Sequence, residues 1–342
     1  MRIIIDGFNK SISRRDNQII IKENGKEIDY FLSKNLKQII ILGKGAITFD
    51  AIALLAQSNV DLIAIDWRGN IQYRLASKEH KNVDIRKQQY FALNDLRSGY
   101  LAKKFIESKI KNQKSLLGAL SRNRGGIEFL ENQKNKLENL IKGLNKIKTR
   151  PSEKIRSKIF GIEGMASAEY WQGFRYIIGN DFNFINRSGK GAQDIVNSML
   201  NYSYAILSSE ILKSLHMSGL DPYSGFLHSD LYGRTSLVFD VMEEFRQQIV
   251  DRSIIKLINL GQINKDDFKT KEGFIYIGEN TRKLLVKTVL DKLNKQVTFN
   301  GIQKTYSDFI EIESKNIIDF LLYEKTYKTF YIRWWNVWTS TF

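Results

Sequence analysis

The sequence predicts an α+β protein in which a small β-rich domain, residues 1–78, precedes a larger α-helical domain, residues 79–342. Two observations predict this order. Up to about residue 75 the apolar residues form short, isoleucine-rich runs separated by polar or glycine-containing turns. Beyond about residue 80 they recur at the three- and four-residue spacing of helices. A chain of 342 residues, 42% of them apolar, is long enough for two domains and can bury a substantial core.

The β-rich domain has four strand-like runs and one short helix. The runs are RIIID, QIIIKE, QIIILG and DLIAID, and DWRGNIQY predicts a turn into a further strand. FDAIALLAQSN, between the third and fourth runs, has the apolar pattern of a helix. GKGA at 43–46 lacks the glycine that a phosphate-binding loop carries five positions earlier. We therefore interpret its glycines as a strand-to-helix turn.

The helical domain opens with apolar residues at helical spacing over 90–105 and 110–120. The glycine pair at 125–126 interrupts this pattern, and IEFLENQKNKLENLIKGLNKIK resumes it. We expect Pro151 at the first position of the next helix. We expect Glu163, between the two glycines of GIEG, near a helix start, and SLVFDVMEEFRQQIV to form a further helix.

The positive charge is concentrated in one segment. Of the formal net charge of +16, residues 81–150 contribute +11, against +3 for residues 1–80 and +2 for residues 151–342. A local basic stripe is typical of proteins that bind polyanions, because binding releases counterions from the phosphates. The alternative is a set of lysine-rich helices that are simply well solvated. We favour a nucleic-acid partner.

Composition excludes several other classes. The sequence has no run of about 18 uncharged apolar residues, so we expect no membrane span. An acid interrupts the apolar N-terminus and no small-residue cleavage pattern follows, which argues against a signal peptide. The absence of cysteine excludes disulfides and thiolate metal sites, and it is consistent with a cytoplasmic protein.

Three stretches carry candidate chemistry: GIEG with Glu163, GFLH with His228, and the next helix with Asp240, Glu243 and Glu244. The spacing of the last three acids allows them to share one helix face. Two carboxylates and an imidazole form a ligand set for Mg²⁺ or Mn²⁺, and residue types do not distinguish the two ions. Each residue also has a structural alternative. Glu163 could cap its helix, His228 could be a structural hydrogen-bonding residue, and acids on a helix are usually solvated.

The three motifs together resemble a known family. GIEG at 161–164, GLDPYSGFLH at 219–228 and GRTSLVFDVMEEFR at 233–246 are similar in order and spacing to the CRISPR-associated endonuclease family Cas1, the integrase of spacer acquisition. Further similar stretches are IRKQQY, KIKNQKSLL, NSMLNYSYAIL and, in the first domain, GKGAITFDAIALLAQSNVDLIAID. The resemblance covers almost the whole chain. It implies a β-rich N-terminal domain followed by a larger α-helical catalytic domain, in agreement with the periodicity.

The resemblance implies metal-dependent cutting and joining of DNA. The 3′-hydroxyl of a short DNA fragment, the spacer, would attack a phosphodiester of the CRISPR array, and no ATP would be needed because one phosphodiester replaces another. The metal-binding residues of the family fall on Glu163, His228 and Glu243. Mg²⁺ or Mn²⁺ held there would neutralise the charge that develops on the phosphate. Some members carry Asp at the last position, where this chain has the longer Glu. Asp240, one turn earlier, corresponds to another acid of the same helix in the family and is the second candidate for this ligand.

Further residues are candidates for DNA contacts. Arg234 and Arg246 could bind phosphates, although Arg246 could equally pair with Glu243 or Asp251. Tyr204 could stack on a base at a frayed DNA end, although core packing is at least an equal alternative.

Two residues of the basic segment, Arg86 and Lys109, are candidates for contacts with the DNA backbone that carry no sequence information. The resemblance implies double-stranded DNA, branched or with 3′ overhangs, as substrate. It also implies a homodimer that works with the small CRISPR-associated protein Cas2. Two alternatives stay open: a structure-selective nuclease that cuts branched DNA without joining it, and a non-catalytic DNA-binding scaffold. The aromatic C-terminus, FYIRWWNVWTSTF, could be a buried element, a dimer contact or a docking tail.

Overall fold

The computed structural model describes residues 1–66, 71–75, 82–189 and 191–333. The chain forms two compact units, Met1–Lys81 and Asn82–Phe342. Strands dominate the first unit and helices the second, so the predicted fold class is confirmed. The predicted boundary between residues 78 and 79 lies outside the described residues.

The first unit is built from two four-stranded sheets and one helix in its described part. Its elements are β1 (Arg2–Ile5), β2 (Lys10–Arg15), β3 (Gln18–Glu23), β4 (Lys26–Leu32), β5 (Gln38–Ile41), β6 (Gly45–Ile47), α1 (Phe49–Gln57), β7 (Asp61–Ile65) and β8 (Ile71–Leu75). One sheet has the strand order β1-β5-β7-β8, with the first three strands parallel and β8 antiparallel to β7. The other has the order β4-β3-β2-β6, with β6 parallel to β2 and the other pairs antiparallel.

Isoleucine and leucine from both sheets fill the core of this unit. Ile39 of β5 and Leu62 of β7 belong to one buried cluster with Ile12 of β2, Ile19 of β3 and Leu55 of α1. Strands of a parallel sheet buried on both faces need continuous apolar sequence, which is what QIII and DLIAI provide. The four predicted strands and the predicted helix are therefore confirmed. The turn predicted before β8 lies outside the described residues.

Three strands of the unit, β2, β4 and β6, were not predicted from apolar runs. β4, KEIDYFL, is an exposed edge strand, so no continuous apolar sequence is required of it. A different signal was present at Asn24-Gly25. These residues have φ angles of 49° and 79° and form the two-residue turn between β3 and β4. Asn-Gly is the sequence most typical of such hairpin turns.

Helices make up most of the second unit. They are α2 (Val83–Ala92), α3 (Leu96–Arg122), α4 (Glu128–Lys146), α5 (Ser152–Ile178), α6 (Ile195–Ser218), α7 (Ser236–Met242), α8 (Arg252–Asn259), α9 (Glu279–Asn294) and α10 (Tyr306–Tyr323). A π-helical turn, Gln247–Asp251, precedes α8. The long helix α3 packs against α4 and α5 and is buried along most of its length. Across the described residues, no helix combines the length and apolar character needed to cross a membrane.

The structure corrects two expectations about α5. Glu163 lies in the middle of this helix, not near its start, and Pro151 precedes the first helical residue instead of occupying it. The glycines at 161 and 164 each cost a helix about 1 kcal/mol relative to alanine. Packing of α5 against α3 and α4 outweighs that cost, so the helix continues through GIEG.

The helical unit also contains two β-hairpins that the helical periodicity did not predict. β9 (Phe268–Lys271) pairs with β10 (Phe274–Ile277), and β11 (Gln296–Phe299) pairs with β12 (Ile302–Thr305). Each hairpin turns on a two-residue X-Gly pair with positive φ, Glu272-Gly273 and Asn300-Gly301. The second pair repeats the Asn-Gly signal of the first unit.

The described part of the aromatic C-terminus is a buried element. Phe330 is fully buried and its ring stacks on Phe245 with centroids 4.8 Å apart. Asn112 of α3 donates to the Phe330 carbonyl at 3.1 Å and accepts from the Ile332 amide at 3.2 Å. The segment up to residue 333 is therefore bound along α3, which is the buried-element alternative. Residues 334–342 lie outside the described part.

Candidate functional site

Lys109 links three elements at one point. Its ammonium contacts Oε1 of Glu163 and lies 2.9 Å from Oε2 of Glu243, so a cation on α3 joins a carboxylate on α5 to one that follows α7. Lys109 and Glu243 are buried, whereas 23% of the Glu163 side chain is exposed. Burial alone would lower the pKa of Lys109, but the two carboxylates raise it above its usual value. Lys109 is thus a charged residue inside the site and does not lie on an exposed basic surface.

A second cation holds Glu243. Arg246 donates from Nε to Oε1 of Glu243 at 3.1 Å, which is the ion-pair alternative predicted for this arginine. Burial by itself would raise the pKa of Glu243, but Arg246, Lys109 and His228 lower it to about 2. Glu243 is therefore ionised at neutral pH.

The acids of the DVMEE stretch do not share one face. α7 ends at Met242, and the chain passes through a turn into the π-helical segment that begins at Gln247. Glu244 consequently points into the core, where its carboxylate accepts from the Tyr327 hydroxyl at 2.5 Å and from the Phe330 amide at 2.6 Å. The expectation of a common face is wrong because the regular helical spacing stops between Asp240 and Glu244.

Asp240 holds the GFLH loop in place. The carboxylate is fully buried, and its Oδ2 accepts from the backbone amides of Phe226 at 2.6 Å and Leu227 at 2.9 Å. Its Oδ1 accepts from the His228 amide at 3.0 Å and lies 2.6 Å from Nδ1 of the His228 ring. Since Nδ1 is engaged by Asp240, Nε2 is the imidazole nitrogen left to bind a ligand.

Contacts with α5 place the His228 ring against the helical turn that precedes Glu163. Arg156 of α5 donates from Nε to the Leu227 carbonyl at 2.8 Å, which ties the loop to this helix. The ring centroids of Phe160 and His228 are 5.9 Å apart, and Phe160 is one turn before Glu163. His228 also contributes to the low pKa of Glu243. The structure thus brings Glu163, His228 and Glu243 to one region.

The donor groups of this region are those that Mg²⁺ and Mn²⁺ accept, two carboxylates and an imidazole nitrogen. Glu163 and Glu243 already converge on one cation, the Lys109 ammonium, so the space between them accommodates a positive charge. In the described ranges, no group of three or more His, Asp and Glu side chains is already close enough together to hold a metal ion. By donor chemistry Glu163, His228 and Glu243 fit a divalent ion. To hold one, Lys109 would have to leave the two carboxylates and the three side chains would have to draw together.

The other predicted contact residues lie in different surroundings. Arg234 is half-buried and its guanidinium lies 5.3 Å from the Phe239 ring centroid. The ring centroids of Phe239 and His228 are in turn 6.0 Å apart, which places Arg234 at the edge of the site. Arg86 is half-buried on α2, and its positive charge opposes the rise in the pKa of Tyr90.

Tyr204 lies behind the site. It is 6% exposed, its hydroxyl donates to Asp251, and the guanidinium of Arg246 lies 4.6 Å from its ring centroid. This is the core-packing alternative, because so little ring surface is exposed that a base could not stack on it.

Sequence reasoning missed the buried hydrogen-bonding group behind Arg246. Asp251 accepts from Tyr170 at 2.6 Å as well as from Tyr204, and it is fully buried. Burial raises the pKa of Asp251 although the two hydroxyls and Arg246 oppose this. A signal was available: Asp251 lies between the apolar pairs Ile249-Val250 and Ile254-Ile255, and an acid that such neighbours draw into the core is almost always paired.

A comparison with family models identifies the chain. The model described as CRISPR associated protein Cas1 matches residues 3–290, which is most of the sequence and includes Glu163, His228 and Glu243. The chain belongs to the Cas1 family. The resemblance drawn from the sequence motifs is confirmed.

Two relatives match over nearly full length. The CRISPR-associated endonuclease Cas1 1 of Archaeoglobus fulgidus is 36% identical, over 98% of this chain and 100% of the relative. The CRISPR-associated protein Cas1 3 of Methanobrevibacter ruminantium is 40% identical over the same shares, 98% and 100%. The predicted nuclease class is thus supported by family membership and by the name of the first relative.

Solved structures have the same fold. A casposase bound to integration product aligns with a TM-score of 0.82 and 28% identity, over 95% of this chain and 91% of that chain. A Cas1 protein from Thermotoga maritima aligns with a TM-score of 0.78 and 19% identity, over 96% of this chain and 98% of the other. A chain of a Cas6-RT-Cas1–Cas2 complex aligns with a TM-score of 0.76 and 21% identity, over 95% of this chain and 35% of that chain. The last two, at such identities, show the fold alone.

Proposed function

We propose that this protein is a metal-dependent DNA endonuclease and integrase that inserts short DNA fragments into a CRISPR array. The observation that carries the proposal is the convergence of Glu163 and Glu243 on one cation beside His228. Membership of the Cas1 family supports the reaction class. A casposase with the same fold bound to integration product supports joining as well as cutting.

In the proposed reaction a 3′-hydroxyl of the fragment attacks a phosphorus of the array, and the 3′ oxygen of the broken strand leaves. Glu163, Glu243 and His228 would hold Mg²⁺ or Mn²⁺, which when bound supplies positive charge beside the phosphate oxygens. Asp240 engages Nδ1 of His228 and so leaves Nε2 as the nitrogen that would bind the ion. Arg246 keeps Glu243 ionised and in position.

The substrate we propose is double-stranded DNA, branched or with 3′ overhangs. Arg234, whose guanidinium lies over the Phe239 ring at the edge of the site, would contact a phosphate. Arg86 on α2 is a second candidate for a contact with the backbone. Such contacts orient DNA without reading its sequence.

We further propose that the protein acts in the cytoplasm as a homodimer with Cas2. Inserting both ends of one fragment requires two active sites at a fixed separation, which a dimer provides. The name of one solved structure with this fold, a Cas6-RT-Cas1–Cas2 complex, motivates the choice of Cas2 as partner.

The test is strand transfer of a 3′-hydroxyl DNA duplex into a supercoiled plasmid with Mn²⁺, with Mg²⁺ and with EDTA. Glu163→Gln and His228→Ala should each reduce joining by about 100-fold or more, because loss of a metal ligand removes several kcal/mol of charge stabilisation. DNA binding should stay nearly unchanged, since phosphate contacts remain.

His216→Ala is the matched control, because His216 lies in the last turn of α6 and not among the residues of the site. It should join DNA like the unmodified protein. Joining that survives in His228→Ala would return His228 to a structural role. Cutting without joining, with Cas2 present, would favour a structure-selective nuclease, and products that form equally in EDTA would contradict metal dependence.

A further inference from the structure

We infer that Lys109 is an internal counter-ion that occupies the position of the catalytic metal until DNA binds, so that metal and DNA load together. This inference rests on the proposed function, because it assigns a divalent ion to Glu163 and Glu243. It concerns a residue that the proposed reaction itself does not require.

The position of the Lys109 ammonium is the first observation. It contacts Glu163 and lies 2.9 Å from Glu243, and no more than 11% of its side chain is exposed. A divalent ion held by the same two carboxylates would lie within a few ångströms of this ammonium. Two like charges so close in a partly buried site repel strongly. Metal and ammonium therefore exclude each other.

The charge balance is the second observation. The two carboxylates face two cations, Lys109 and Arg246, so this cluster of four side chains has no net charge. Mg²⁺ and Mn²⁺ bind through carboxylate charge, and a neutral cluster attracts them weakly. When Lys109 leaves the two carboxylates, the remaining cluster has one net negative charge, which attracts a divalent ion.

DNA offers the ammonium a new partner. A lysine side chain is a flexible stem with a compact charge that readily pairs with phosphate. The Glu163 side chain is 23% exposed, and the helix surface at the two neighbouring glycines is open, because a Cβ added at Gly161 or Gly164 would meet nothing within 4 Å. A backbone phosphate that approaches there can accept the ammonium while the metal takes its place. Phosphate oxygens also complete the coordination that Mg²⁺ and Mn²⁺ require.

The experiment is a titration of the full chain with Mn²⁺, by calorimetry and by the electron paramagnetic resonance of free Mn²⁺. Each titration is run once without DNA and once with a DNA duplex. The 3′ ends of the duplex are dideoxy-terminated, so that no joining occurs. Lys109→Met should bind Mn²⁺ about tenfold more tightly than the unmodified protein without DNA, since it lacks the competing charge. In the unmodified protein the duplex should tighten Mn²⁺ binding by about 5–150-fold, the usual range of coupling between two sites. In Lys109→Met this coupling should largely disappear.

Lys104→Met is the matched control, because Lys104 is on the same helix and pairs with Glu107 at 2.7 Å. It should bind Mn²⁺ with unchanged affinity. Circular dichroism in EDTA checks folding, and Lys109→Gln, which keeps an N–H donor between the carboxylates, replaces the methionine variant if that one unfolds.

Equal or weaker Mn²⁺ binding by the Lys109 variants without DNA would overturn the inference and would make Lys109 a support for its two carboxylates. The proposed function would survive that result. If neither the unmodified protein nor any variant binds Mn²⁺, with or without DNA, the metal dependence of the proposed function fails as well.

Discussion

Asp240 differs from the other acids of the site in that its contacts already use both of its oxygens. Three backbone amides, those of Phe226, Leu227 and His228, donate to it, and Nδ1 of His228 is 2.6 Å away. A carboxylate so engaged is a poor metal ligand. Glu243 instead contacts the Lys109 ammonium, where the metal ion is proposed to bind. We therefore assign Asp240 to positioning His228 and keep Glu243 as the proposed ligand.

Asp240→Asn should reduce Mn²⁺ affinity and strand transfer by about 10–100-fold, the usual effect of losing the group that orients a ligating histidine. An asparagine has one acceptor oxygen, so at least one loop amide also loses its partner, at about 1–3 kcal/mol. Two measurements test this: a Mn²⁺ titration, which gives metal affinity, and the kinetics of strand transfer, which give kcat and the KM for DNA. A loss confined to KM would contradict a positioning role. Asp291→Asn, exposed on α9, serves as the control.

At the scale of elements, the site depends on close approach of the GFLH loop to the start of α7. Gly225 lies against Ser236, the first residue of α7, and an added Cβ would be 2.8 Å from Ser236 Cβ and 3.0 Å from Asp240 Oδ2. Leu237 donates to the Pro222 carbonyl at 3.0 Å, which fixes the same contact. Glycine is needed here because no side chain fits between loop and helix.

Gly225→Ala should destabilise the helical unit by about 1–3 kcal/mol, the usual cost of overpacking, and should reduce strand transfer by displacing Asp240. Gly143→Ala, within α4, is the contrasting variant, since its Cβ would meet Ile162 Cδ1 at an ordinary 3.8 Å. It should stabilise the protein by about 0.5–1 kcal/mol through helix propensity. Urea unfolding of both variants measures the difference. A Gly225→Ala variant as stable as the unmodified protein would show that the loop is not tightly packed on α7.

At the scale of the whole molecule, a buried pair of acids links α10 to the segment after α7. Glu244 and Glu313 are both fully or almost fully buried, and the Tyr327 hydroxyl donates to Glu244. Burial raises the pKa of Glu313 to about 8, although the nearby Tyr327 hydroxyl and the Asn316 amide, which donates to Glu313 Oε2 at 3.2 Å, oppose this. Burial and the neighbouring Glu313 raise the pKa of Glu244 as well.

These shifts make stability depend on pH in a defined direction. An acid whose pKa is higher in the folded chain than in the unfolded chain binds its proton more tightly when folded. For Glu313 this stabilisation is complete below its ordinary value of 4.5 and is lost as the pH rises towards about 8. The thermal midpoint should therefore fall as the pH rises from about 6 to about 8 and level off above that.

Glu313→Gln should flatten that fall, since glutamine has nearly the same shape and no proton to lose. The measurement is the thermal midpoint of both proteins from about pH 6 to pH 9. Glu311→Gln, exposed on the same helix, is the control and should keep the pH dependence of the unmodified protein. An equal fall in the midpoint of all three proteins would assign the effect to other groups.

Much of the fold was predictable from local sequence. Isoleucine runs such as QIII became buried parallel strands, and the helical periodicity around the Gly125-Gly126 break became α3 and α4. Edge strand β4 and the two hairpins of the helical unit were not predicted. β4 and three of the four hairpin strands mix polar and apolar residues, and the fourth, FIYI of β10, is only four residues long. Their X-Gly turns were the readable signal.

The sequence by itself determined the family, the order of the two units and the candidates Glu163, His228 and Glu243, because motif order and periodicity are properties of the chain. Only the tertiary structure decided what each residue touches. It placed Lys109 between two carboxylates that are 54 and 134 positions away along the chain. It also set Asp240 on the imidazole and turned Glu244 into the core. The physical reason is that charge pairing and burial depend on distances across the packed helices, and sequence spacing within one helix does not contain those distances.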